Sequence, residues 1–204
     1  CDPCLTMSMP KIITAGTGLD AFAHCVEAYC APSFHPMSQG IALEGLKLVK
    51  ENLYRSYSDG SDLYARSNMM AAAMMGAVAF QKGLGAVHAL SHPIGAIHNT
   101  HHGMTNAVIL PYALRFNRKK IENKIFDLAN YLGINGGFDG FFSFVKGFND
   151  SLQVPQSLSS LGVKADDIGK IVQGALKDPS RFGNPIEMTA QNTKELLEEC
   201  IGPT

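Results

Sequence analysis

The sequence predicts an all-α, multi-helical, bundle-like domain, and three observations carry that expectation. Apolar residues recur at helical spacing in one segment after another, and clean period-two alternation is almost absent. Helix start and stop signals punctuate those segments. No repeat, low-complexity tract or flexible linker divides the chain, so a single helical domain over residues 1–204 is expected.

The first helix is placed over Thr17–Ala31, with Leu19, Phe22, Val26 and Cys30 on one face and Pro32 ending it. A second covers about Ser38–Leu53, before the polar turn SDGSD. Asp62 is placed to cap a third that runs through LYARSNMMAAAMMGAVAFQ to Gly83. That third segment is apolar nearly all round, which predicts a buried central helix with its methionines as core filler. Gly83, Gly85 and Pro93 mark the next stretch. Thr105–Leu114, interrupted near Pro111, Arg118–Leu132 and Gly137–Leu152 follow. Ala165–Leu176 and a last helix, with Asn192 as its cap and Glu195 at the third position, complete the set.

Composition narrows the function. With 46% hydrophobic and 17% charged residues, the 204-residue chain can bury a sizeable core. A formal net charge of −1 offers no footprint for a polyanion, so no nucleic-acid partner is expected. The longest apolar run, near Met69–Phe80, is too short to span a bilayer, so no membrane role is expected either. Five cysteines, an odd number, suggest reduced thiols and a cytoplasmic location. Cys1-Asp-Pro-Cys4 has C-x-x-C spacing but no second pair. The chain begins at Cys1 and opens directly on MSMPKIITAGTGLDAF, which reads as a piece of a longer protein.

Chemistry concentrates in two places. Five of the seven histidines, His88, His92, His98, His101 and His102, lie between Gly83 and Asn106. His88 and His92 are four apart, a common chelating arrangement on a helix. Apolar neighbours surround the group, and buried imidazoles without partners cost stability, whereas a metal ion satisfies their lone pairs. The first helix answers with Asp20 and His24, about 40° apart on the wheel. Glu27 falls on the same flank. Together they offer one carboxylate and three or more imidazoles, a mixed N/O site for a divalent cation such as Fe2+ or Zn2+. Spacing alone does not say which histidines bind. H-E-x-x-H, G-x-G-x-x-G, the P-loop and G-x-S-x-G are all missing.

TGLDAFAHCVEAY followed by GLGAVHALSHPIGAIHNTHHGMTNAVILP resembles the C-terminal half of the iron-containing (group III) alcohol dehydrogenases. The resemblance runs from DPCLTMSMP to ADDIGKIVQGALKDPSRFGNPIEMTAQNTKELL and so covers essentially the whole chain. It implies the helical C-terminal half of the dehydroquinate synthase-like fold. A Rossmann-like N-terminal domain would hold NAD(P), with the active site in the cleft between the two. It implies Asp20, His24, His88 and His102 as metal ligands, and His92 as a proton-relay histidine beside nicotinamide and substrate. The substrate class would be a small primary alcohol or its aldehyde.

The implied nucleotide-binding domain is not among these residues, so the chain alone is expected to bind metal and turn nothing over. Apolar surface where that domain would dock could drive self-association into a homo-oligomer. His98 and His101 stand where the family often has an aromatic and a proline, and are read as surface substitutions. Two other classes compete on the residues alone. One is a helical hydrolase that uses metal-bound water, with Glu27 or His92 as base. The other is a non-enzymatic interaction module that metal merely staples.

Overall fold

A computed structural model describes residues 1–202, so Pro203 and Thr204 of the expected 1–204 domain lie outside the described residues. Eight α-helices, joined by short loops and 3-10 turns, account for the fold, and the described residues contain no strand. They are α1 (Lys11–Cys30), α2 (Pro36–Ser58), α3 (Leu63–Ala79), α4 (Ala86–His98), α5 (His102–Tyr131), α6 (Gly137–Ser151), α7 (Ile168–Lys177) and α8 (Ala190–Ile201). The predicted all-α class is the observed one. No single helix among the described residues is long and apolar enough to cross a membrane.

The central element is α1, which packs against α2, α3 and α5. Its run of small residues lets neighbours approach from several sides, and Ala15, Leu19, Phe22, Ala23, Cys25, Val26 and Ala28 are all buried. The prediction gave that place to α3, and the structure corrects it. On α3 only Ala65, Arg66, Ala72, Gly76 and Ala79 are buried, while Met74 and Val78 are 52% and 55% exposed. An all-round apolar composition marks a helix that can be buried. How many neighbours reach it decides whether it is.

The buried end of α1 shows how the helices are tied together. Its last carbonyls have no partner within the helix. Lys82, just beyond α3, donates from Nζ to Ala28 O, Tyr29 O and Ala31 O at 2.9, 3.1 and 2.6 Å. Lys124 of α5 donates to Cys30 O and Ala31 O at 3.2 and 2.9 Å. Two cations at a helix C-terminus also complement its dipole. Burial, and then the neighbouring Lys124 charge, push the Lys82 ammonium down to about 8.

Several predicted boundaries move. α1 begins at Lys11 rather than Thr17, and α2 extends to Ser58. Residues Ala165–Asp167 form a 3-10 turn ahead of α7. The α8 cap is Thr189, not Asn192: Asn192 N donates to Thr189 Oγ1 at 3.3 Å, and Thr189 N donates back to Asn192 Oδ1 at 2.8 Å. Asp62 caps α3 as predicted, accepting from Ala65 N at 3.0 Å.

The largest difference is α5. Separate segments over Thr105–Leu114, interrupted near Pro111, and over Arg118–Leu132 are expected, yet one helix of 30 residues runs through both, about 45 Å long. A proline has no N–H for the carbonyl four residues back, which here is Ala107 O. Asn149 of α6 supplies the missing donor, with Nδ2 at 2.8 Å from that oxygen. A partner from another helix thus removes part of the reason for a break.

Candidate metal centre

Three helices meet at the candidate site. α1 presents Asp20 and His24 on one flank, α4 carries His88 and His92 one turn apart, and α5 starts at His102. The approach of α1 to α5 depends on glycine. A Cβ on Gly103 would lie 2.0 Å from Gly16 O, a collision between backbones that nothing can relieve by side-chain rotation. The bare backbone at this crossing brings His102 against Asp20.

Asp20 Oδ1 is the focus. His102 Nε2 lies 3.4 Å from it and His88 Nε2 3.5 Å, while His24 Nδ1 lies 3.9 Å from Oδ2. Ligand atoms of Asp20, His24 and His88 all fall within 4.8 Å of one another. The His24 and His88 rings stack with centroids 4.5 Å apart, and the His88 and His102 centroids are 5.3 Å apart. Three of the four sequence-predicted ligand residues, Asp20, His24 and His88, thus form one compact group, and His102 adjoins it through Asp20 Oδ1 without falling within the same mutual distance.

Electrostatics favour a cation here. Burial works against the charge on Asp20, but hydrogen bonding with His102 and His88 outweighs it and holds the carboxyl well below the usual carboxylate range. Burial pushes His24 down to about 4, against the pull of Asp20. His88 is 1% exposed, and burial opposes its charge as well. Hydrogen bonds to Asp20 and Glu27 override that and push it up to about 9. Two carboxylates beside one imidazole stabilise its positive form, and a metal ion at Nε2 would take the place of that proton.

Asn106, one turn beyond His102 and fully buried, completes the cluster. Its Nδ2 lies 2.6 Å from Asp20 Oδ1, 3.1 Å from His88 Nε2 and 3.0 Å from His102 Nε2, and its Oδ1 is buried without a partner. Carboxylate, imidazole and amide atoms thus converge on one point. One carboxylate and three imidazoles are a donor set that Fe2+ and Zn2+ both accept, so the residues fit a divalent cation.

His92 stands apart from the four. Its ring stacks on His102 with centroids 5.5 Å apart and planes 8° apart, and its Nδ1 lies 2.7 Å from Asp178 Oδ2. Burial opposes the Asp178 charge, but bonds from Ser180 and His92 hold its carboxyl below the usual range. The imidazole is about half exposed, at the mouth of the cluster.

His98 and His101 do not join, and neither is a surface substitution as predicted. His101 is the N-cap of α5, where Nδ1 accepts from Met104 N at 3.3 Å while the ring fills the space above Gly16. The His98 side chain is packed at the end of α4, with its Nε2 buried and 3.7 Å from Asp167 Oδ2. Glu27 is not free to act as a hydrolytic base. Its Oε1 accepts from Val87 N at 2.8 Å and its Oε2 meets His88 Nδ1 at 2.7 Å.

Sequence reasoning missed Asn106 and Asp178. Asn106 had a signal, since it follows His102 at helical spacing. Asp178 had none, lying 86 residues from His92 with no local pattern to link them.

Residues 14–201 match the Fe-containing alcohol dehydrogenase family, C-terminal. The chain belongs to this family. Among relatives of the iron-containing alcohol dehydrogenase domain is the 4-hydroxybutyrate dehydrogenase of Cupriavidus necator, 41% identical over 98% of this chain and 55% of the relative. The 1,3-propanediol dehydrogenase of Citrobacter freundii is 35% identical over 98% of the chain and 54% of the relative. The crystal structure of a 1,3-propanediol oxidoreductase superposes with a TM-score of 0.93 at 32% identity, covering 98% of this chain and 54% of that one. The chain thus spans about half the length of the iron-type dehydrogenases it matches.

Proposed function

We propose that this domain binds a divalent metal, Fe2+ by preference with Zn2+ as a possible substitute, through Asp20, His24, His88 and His102. In this reading it serves an NAD(P)-dependent dehydrogenase that interconverts a small primary alcohol and its aldehyde. The observation that carries the reading is the meeting of these side chains, from three helices, at the Asp20 carboxylate, with His88 and His102 at Oδ1 and His24 at Oδ2. The names of the relatives, a hydroxyacid and a diol dehydrogenase, support a hydroxyl-bearing substrate.

A divalent cation in this site supplies Lewis-acid polarisation of a carbonyl oxygen, or stabilisation of an alkoxide in the reverse direction. NAD(P), held by a separate N-terminal nucleotide-binding domain, supplies the hydride carrier. The remaining work falls to residues of this chain. His92 handles the proton. Donating Nδ1–H to Asp178 leaves its Nε2 lone pair to receive a proton from the alcohol, and stacking on His102 keeps the ring beside the metal ligands. Asn106 donates to Asp20 and holds that carboxylate toward the cluster.

Elemental analysis of the purified chain tests the metal. Joining the chain to its nucleotide-binding domain and measuring alcohol-dependent nicotinamide reduction tests the reaction. The expected result is about one divalent ion per chain, no turnover by this chain alone and turnover when joined, with His92→Ala retaining metal but losing activity. A metal-free chain that stays so on reconstitution with Fe2+ and Zn2+ overturns the proposal.

A further inference from the structure

Glu27 is a buried carboxylate that the reaction above does not use. It is 8% exposed, it lies on α1 one turn beyond His24, and both of its oxygens reach across to α4. The α4 N-terminus has no cap of its own: Gly85 stands at the cap position and has no side chain to accept a bond. Free N–H groups at a buried helix start require acceptors from elsewhere.

Two distant side chains provide them. Asn184 Oδ1 accepts from Ala86 N at 3.0 Å, and Glu27 Oε1 accepts from Val87 N at 2.8 Å. Asn184 is itself locked by a reciprocal amide pair with Asn117, each Nδ2 donating to the other's Oδ1 at 2.9 Å. Gly85 is what lets both acceptors in, because a Cβ there would lie 2.8 Å from Asn184 Oδ1 and 2.9 Å from Glu27 Oε1. The negative charge of Glu27 also suits the positive end of the helix dipole.

The second oxygen performs a different task. Oε2 accepts a hydrogen bond from His88 Nδ1–H at 2.7 Å, which leaves Nε2, the nitrogen facing Asp20, for the metal side. Metal-bound histidines commonly donate their other ring N–H to a carboxylate, which sets the ring's orientation and raises its basicity as a ligand. Here one carboxylate grips both the backbone of the residue before the ligand and the ligand ring.

We infer that Glu27 is a positioning residue for the metal centre, fixing the start of α4 and the His88 imidazole together so that His88 offers Nε2 to the ion. This role rests on the metal reading proposed above. It requires no contact between Glu27 and the ion, and it acts through His88.

The test is Zn2+ affinity of the purified chain, by competition with a chromophoric chelator, together with the Co2+ absorption spectrum. Glu27→Ala is expected to bind Zn2+ about 10–100-fold more weakly than the unsubstituted chain, the usual range for losing such a partner. Glu27→Gln keeps the shape and one acceptor oxygen, so it is expected to fold, to lose about tenfold and to shift the Co2+ bands. In a His88→Ala background the further change Glu27→Gln is expected to cost nothing in Zn2+ affinity, because the ring it positions is gone. A helical Glu27→Gln chain with unchanged Zn2+ affinity and Co2+ spectrum overturns this role alone. So does an equal loss with and without His88, which would mark general support of the fold. Absence of Zn2+ binding by the unsubstituted chain overturns the metal site and this role with it.

Discussion

His88 and His102 face the carboxylate of Asp20, whereas His98 and His101, from the same short stretch, turn away from it. The difference is one of position against α1. His88 lies in the first turn of α4 and His102 at the first position of α5, and each brings its Nε2 to within 3.5 Å of Asp20 Oδ1. His98 lies at the far end of α4, and His101 is one residue outside α5, where its ring nitrogen caps the helix. His35 plays a similar capping role at α2, accepting from Ser38 N at 3.2 Å. The dense run of imidazole is therefore two populations: His88 and His102 meet at Asp20, while His101 caps α5 and His98 lies beside Asp167 at the end of α4.

Gly103→Ala breaks the comparison most severely, since its methyl group would meet Gly16 O and force α5 away from α1. The expected loss is roughly 4 kcal/mol or more, in the exceptional class for a single substitution, and is read from the denaturation midpoint. Next come Asp20→Ala, His24→Ala and His88→Ala. Each should weaken Zn2+ binding more than about 100-fold, beyond the cost of losing a supporting partner, because distant segments share one ion. Normal metal content in any of the three would remove that residue from the site.

Metal removal sharpens the same contrast. Zn2+ at 100 times its dissociation constant should raise unfolding free energy by about 2.7 kcal/mol, and chelation should reverse it. Thermal melts should show this gain in His101→Ala but not in His88→Ala. The smallest effect is that of His101→Ala itself. Losing its cap should cost about 1 kcal/mol, with Zn2+ affinity within a few-fold of the unsubstituted chain. A large loss of affinity would move His101 into the first population.

The candidate site was legible wherever its members share a helix. Asp20 and His24, and likewise His88 and His92, are four apart, and that spacing alone places each pair on one face. The family resemblance added His102 and separated His92 from the ligands. Asp178 was invisible, because a hydrogen bond spanning 86 residues leaves no periodic trace. Glu27 was noticed as a carboxylate on the correct flank, but its engagement with α4 was not foreseen, since nothing nearby announces that Gly85 leaves a helix uncapped there.

By itself the sequence determined the all-α class, most of the helical segments, the Asp62 cap and the two motifs that carry the candidate ligands. All of these follow from residue spacing and side-chain type over a turn or two. Only the tertiary structure decided that α1 rather than α3 lies at the centre, that Asn149 lets α5 pass through Pro111, and that His101 caps α5 while His98 lies beside Asp167. Helix periodicity is local, fixed by 3.6 residues per turn. Which face is buried, and which distant group satisfies a freed carbonyl or amide, depends on how segments far apart in the chain meet.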